Sequence, residues 1–160
     1  MIDYLIKTPD DVLQVIEQFE KQEFTKPIGK DLLTMLEVAV KDVQRKTLVT
    51  RETIDWKSWF LRTGFIVYSI LIDYKFDKLH FAKFLLGKHK KYGLKPLLMW
   101  EELGIAIRLS SKIARLVNIT NNLQGVDLGD ETVEDTLKDV LGYCILGHLL
   151  TCRIHQKEEG

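Results

Sequence analysis

Six lysines stand between Lys78 and Trp100, at positions 78, 83, 88, 90, 91 and 95, with no aspartate or glutamate among them. The stretch carries a formal +6. Further along, Arg108, Lys112 and Arg115 are spaced by four and three, which puts them on one helix face beside the apolar stripe Ile105, Leu109, Ile113 and Leu116. Guanidinium groups make two-pronged contacts with phosphate oxygens and lysine supplies point charge, so these cations are candidate phosphate ligands.

Asp127 to Asp139 has the opposite balance, six carboxylates against one lysine. Glu131, Asp135 and Asp139 recur every four residues along one helix face, and Tyr143 extends the row. A hard cation such as Mg²⁺ takes one or two carboxylates together with substrate phosphate oxygens, which such a row beside a basic face would supply. Spacing alone leaves two readings open. In one, opposite charges pair between helices and the faces are solvated; in the other, they converge on an open pocket for a phosphate and a metal.

Other patterns carry less chemistry. Cys144, His148, Cys152 and His155 share a stripe, but one straight helix cannot wrap a tetrahedral zinc ion, so core packing is the expected role. Gly87 to Lys95 lacks the GK[ST] ending and the preceding strand of a P-loop. Ser110 and Ser111 have no nucleophile-elbow context. Trp56, Trp59 and Trp100 have a stacking role open to them, although helix packing is the commoner use of tryptophan.

The order Lys88-His89-Lys90-Lys91-Tyr92-Gly93, Trp100, Gly104 to Leu116 with its Arg-x3-Lys-x2-Arg-Leu, then Glu131-x3-Asp135-Thr136-x2-Asp139-x3-Tyr143 resembles the nucleotide-modification-associated helical domain of phages and bacteria. That family is in turn distantly similar to the MazG-like all-α nucleoside triphosphate pyrophosphohydrolases. The resemblance covers about residues 80–150; residues 1–78 have no counterpart in it. It implies a helical bundle, frequent homo-oligomerisation and a nucleotide ligand with Mg²⁺. The MazG-like enzymes hold their ions with Glu-x2-Glu and Glu-x2-Asp helical pairs; Glu101 or Glu102 stands for the first, with Ile at position 105, and Asp139 closes the second, with Thr136 three residues before it and Asp135 one further back. Lys91 and Ser111 also occupy positions where relatives often carry Asp.

The resulting expectation is a nucleotide-binding chain. Lys88, Lys91, Arg108, Lys112 and Arg115 would face the phosphates, Tyr92 and Tyr143 the base or ribose, and Glu102, Asp135 and Asp139 an Mg²⁺ ion. Water attack on a phosphoanhydride, releasing pyrophosphate, is one outcome. A phage protein that sequesters a nucleotide signal in counter-defence is a second, and a purely structural helical module a third.

The elements that must position these groups read as helices. Thr8-Pro9-Asp10-Asp11 starts one, followed by Val12, Val15, Ile16 and Phe19 at helical spacing. Leu32, Leu33, Leu36, Ala39, Val40 and Val43 mark a second, after a break at Pro27-Ile28-Gly29. Phe65 to Ile72 is β-branched enough for a strand but has no partner strand, so a buried helix is expected, broken near Tyr74 to Asp77. Pro96 opens a helix to about Val117, and Asp130 or Thr132 caps a last one running to about Gln156.

Gly and Pro together number 13, too few for the turns of an all-β chain, and 160 residues with 46% apolar content suit one domain. The expectation is therefore an all-α, single-domain bundle of five or six helices over residues 1–160. Zero net charge from 23 basic and 23 acidic residues gives no strong nucleic-acid signal. Apolar runs shorter than a bilayer, a start without a basic n-region and two cysteines eight apart suggest a cytoplasmic chain with reduced thiols and no membrane contact.

Overall fold

The computed structural model describes residues 4–21, 31–93, 95–121 and 129–159, with backbone alone at 31, 97, 98, 121, 129–132 and 155–159. Among these residues every regular element is helical. They are α1 (Pro9–Glu20), α2 (Asp31–Leu48), α3 (Trp56–Leu71, continued by a 3₁₀ turn Ile72–Tyr74), α4 (Lys78–Tyr92), the single turn α5 (Lys95–Leu98), α6 (Glu101–Asn121) and α7 (Gly129–Glu159). The expected all-α bundle is the observed one, with six helices of three turns or more among the described residues. The break at Pro27 to Gly29 and the side chains of Glu131, Asp130, Thr132 and His155 lie outside the described residues.

Local chemistry sets the helix ends. Asp11 Oδ2 reaches back to accept from the amides of Lys7 (2.8 Å) and Thr8 (3.0 Å), satisfying donors at the α1 start. Asp55 accepts from Ser58 N to cap α3, and Asp77 accepts from His80 N to cap α4. The α3–α4 break falls where it is expected, at left-handed Lys75 (φ 57°). Gly93 (φ 73°) ends α4 in a conformation that only glycine adopts freely.

Phe65 to Leu71 lies in α3, with Phe65, Ile66, Val67, Tyr68 and Leu71 all buried. A lone strand there would leave its backbone groups unpaired, whereas a helix satisfies them internally. One difference concerns the helix expected from Pro96 to Val117. The chain makes one turn, α5, and then breaks, with left-handed Glu101 (φ 50°) as the first residue of α6. Arg108 Nη2 donates to Pro96 O (3.1 Å), tying α5 back onto α6 and satisfying a carbonyl of the short turn.

The long helix α7 packs against both α3 and α6; α1 bridges α3 and α4, and α2 lies on α3 and α6. One continuous apolar core joins all six long helices. Two glycines allow the closest approaches: a Cβ on Gly64 would collide with the Phe19 ring, and one on Gly147 with the Phe60 ring. Cys144 is buried, and neither cysteine is in a disulfide. No described helix is long and apolar enough to cross a membrane.

Candidate functional site

Phe81, Leu85, Lys88 and Tyr92 follow one another at helical spacing along one side of α4, and Asp139, Gly142, Tyr143 and Leu146 do the same on α7. The two faces meet closely at Gly142, where an added Cβ would stand 3.1 Å from Leu85 Cδ1. Away from that contact they diverge. With Arg108 and Lys112 of α6 and the turn at Gly93 and Pro96, they enclose a hollow of about 390 Å³, open to solvent. That volume lies in the ~300–1,000 Å³ range of small-molecule sites.

The walls divide by chemistry. Phe81, Phe84, Leu85, Pro96 and Leu146 supply apolar surface, and Tyr92 and Tyr143 add aromatic rings with polar tips. Among the described residues, Lys88, Arg108, Lys112 and Lys138 supply four cations against a single wall carboxylate, Asp139. Lys138 is offset by Glu134 (3.3 Å), which leaves three cations facing one anion.

Asp139 sits between two helices' lysines. Its Oδ1 is 3.2 Å from Lys88 Nζ of α4, and its Oδ2 is 3.3 Å from Lys112 Nζ of α6. Lys88 Nζ also lies 4.8 Å above the centre of the Phe84 ring, within cation–π reach. All three charged groups remain partly solvent-accessible, so these are not sealed ion pairs.

His89 belongs to the same wall, although a neutral ring within a lysine run gave no signal. It is 7% exposed, and its Nε2 accepts the amide of Leu5 at 3.0 Å. An accepting Nε2 requires the proton on Nδ1, which is buried and has no hydrogen-bond partner among the described residues. Burial lowers the ring's pKa, keeping it neutral. The apolar members of the wall, Phe81, Leu85 and Leu146, carry no sequence signal that separates lining from core.

The structure brings together Lys88, Tyr92, Arg108, Lys112, Asp139 and Tyr143 of the residues expected at a site. Lys91 is on the outside, with its Nζ 5.4 Å from the centre of the Tyr92 ring. Arg115 and Asp135 are exposed and off the wall. Glu102 is at the other end of α6, where its carboxylate accepts from Thr151 Oγ1 (3.3 Å). Thr151 is twelve residues beyond Asp139, roughly 18 Å along α7 at ~1.5 Å per residue. Because α6 and α7 run antiparallel, pairing 102 with 151 and 112 with 139, Glu102 and Asp139 cannot share an ion.

The expected Mg²⁺ ligands therefore do not fit a common site: Glu102 is remote, and both oxygens of Asp139 face ammonium groups. No cluster of three metal-binding side chains exists among the described residues. Of the cysteine–histidine stripe, Cys144 and His148 are buried in the core and Cys152 is half-buried, while the His155 side chain lies outside the described residues. Cys152 Sγ lies 3.7 Å from His148 Nε2, and burial together with the Lys57 charge pushes the His148 pKa down to about 4. Of the tryptophans, Trp59 is buried and donates to Ala39 O, Trp56 stacks on Phe60, and Trp100 is exposed.

Comparisons with protein-family models, with curated proteins and with solved structures returned no match.

Proposed function

We propose that this chain binds a phosphorylated nucleotide in the hollow between α4, α6 and α7. The observation that carries the reading is the excess of Lys88, Arg108 and Lys112 over Asp139 on the rim of an apolar, tyrosine-bearing cleft. Anionic oxygens match the three cations, of which Lys88 and Lys112 meet at Asp139 while Arg108 lines the same hollow. A flat base or a ribose matches Phe84, Tyr92 and Tyr143.

The reading is one of binding, with the ligand released intact. Metal-assisted attack of water on a phosphoanhydride in the MazG-like manner would draw on paired carboxylates, whereas Glu102 lies at the far end of α6 and the described wall carries one carboxylate, Asp139. That single wall carboxylate favours the sequestering role over the hydrolytic one.

Titration calorimetry with nucleoside mono-, di- and triphosphates, each with and without Mg²⁺, tests this. Binding should require the phosphate, should not require Mg²⁺, and should weaken about tenfold in Lys112→Met, as expected for one charge-assisted contact worth ~1.5 kcal/mol. Heat from none of the panel, or equal binding of the bare nucleoside, would remove the proposal. Pyrophosphate release during the titration would restore the enzymatic reading.

A further inference from the structure

The contact of one carboxylate with two lysines has a meaning for the ligand that the site's composition does not give. Lys88 and Lys112 belong to different helices, yet each places its ammonium group against a separate oxygen of Asp139, at 3.2 and 3.3 Å. This is the arrangement in which two lysines would hold two oxygens of a phosphoryl group. Asp139 is itself on the wall of the hollow, so the position its carboxylate takes is within the space offered to a ligand.

We infer that Asp139 is a built-in stand-in for the ligand's phosphate, occupying the lysine pair until an anion of higher charge takes both lysines from it. The inference rests on the proposed binding of a phosphorylated nucleotide. Partly exposed ion pairs each contribute little, so surrendering two of them is a small cost. Without Asp139 the two ammonium groups would repel each other across the cleft. With it they stay paired and aimed at the rim.

The exchange also selects among ligands. A monoanion, such as the phosphodiester of a cyclic nucleotide, offers the lysines one negative charge in place of the one they already hold. A terminal phosphate dianion or a diphosphate offers more, and Arg108, whose guanidinium makes one contact to Pro96 O, has further N–H groups for the additional oxygens. The ligand class is thus a nucleotide with a terminal phosphomonoester or polyphosphate.

The test uses inorganic pyrophosphate, a nucleoside 5′-monophosphate and the matching 3′,5′-cyclic monophosphate as probes. In the unaltered protein the 5′-monophosphate should bind at least fivefold more tightly than the cyclic form. Asp139→Asn keeps the side chain's shape, removes the competitor and should tighten pyrophosphate about three- to tenfold, the equivalent of the two weak pairs released. Asp135→Asn removes the same charge one helical turn away, on an exposed side chain, and should change affinity less than twofold. In Lys88→Met the Asp139→Asn gain should shrink, because half the competition is gone.

A weaker pyrophosphate complex in Asp139→Asn would overturn the inference, since Asp139 would then be holding the lysines or the ligand in place. Equal gains in Asp135→Asn and Asp139→Asn would overturn it too, leaving only a general field. Equal affinity of the two monophosphates would overturn the selection. Should Asp139→Asn fail to fold, carbon-13 chemical shifts of the Asp139 carboxyl in the unaltered protein decide: they move on saturation with pyrophosphate if the lysines leave it, and stay if they do not. Binding of no probe to either protein removes the site and the stand-in with it, whereas binding with unchanged affinities removes the stand-in alone.

Discussion

Lys112 and Arg115 are three residues apart on α6, and spacing alone assigns them the same task. Their surroundings divide them: Lys112 meets Asp139 on the wall of the hollow, and Arg115 is exposed outside it. Arg115→Ala should therefore leave nucleotide affinity within about twofold, whereas Lys112→Met lowers it about tenfold; parallel calorimetry compares the two. His148 permits a prediction about pH. Its pKa is about 4 in the folded chain against 6.5 when unfolded, so between those values the unfolded state binds more protons. The contribution is intact above pH 6.5 and is lost as pH falls toward 4, with the His89 pKa lowered in the same direction. Urea unfolding at pH 7 and pH 5 should differ by about 2 kcal/mol from His148, at ~1.4 kcal/mol for each pH unit crossed below the unfolded value. Equal stabilities at the two pH values would exclude this account.

At the level of helices, the packing of α7 on α3 depends on the missing side chain of Gly147, against which the buried Phe60 ring lies. Gly147→Ala gains helix propensity of about 1 kcal/mol but drives a methyl into a ring with no room to move. The expected net result is destabilisation by about 1–3 kcal/mol, read as a lower urea midpoint; a raised midpoint would show that the ring yields. Helices were legible in the sequence because apolar residues recur at three and four, and because Thr8-Pro9 marks the start of α1; the Asp55 and Asp77 caps went unread. The break at Glu101 was not legible, since a left-handed glutamate carries none of the glycine signal that marks such turns. Glu102 was misplaced among the site residues for a related reason. Its distance from Asp139 depends on the direction in which α6 runs along α7, which no periodicity within either helix contains.

Over the molecule as a whole, a net charge of zero conceals a division of labour. Lys21, Lys41, Arg45, Lys46 and Lys78 each meet a carboxylate on the surface, while at the hollow Lys88 and Lys112 share Asp139 and Arg108 meets only a carbonyl. Six of the ten residues expected at a site converge there because their helices cross at that end. The aromatic and aliphatic walls went unread because core and cleft present the same stripe until the neighbouring helix is in place. The bond from Leu5 N to His89 Nε2 joins the start of the described chain to the back of the same wall, with Leu5 and Ile6 both buried. A proton on that amide is thus a listening post for the cleft. Its deuterium exchange should slow when pyrophosphate stiffens the imidazole's surroundings, so occupancy can be followed from a position that no solute touches.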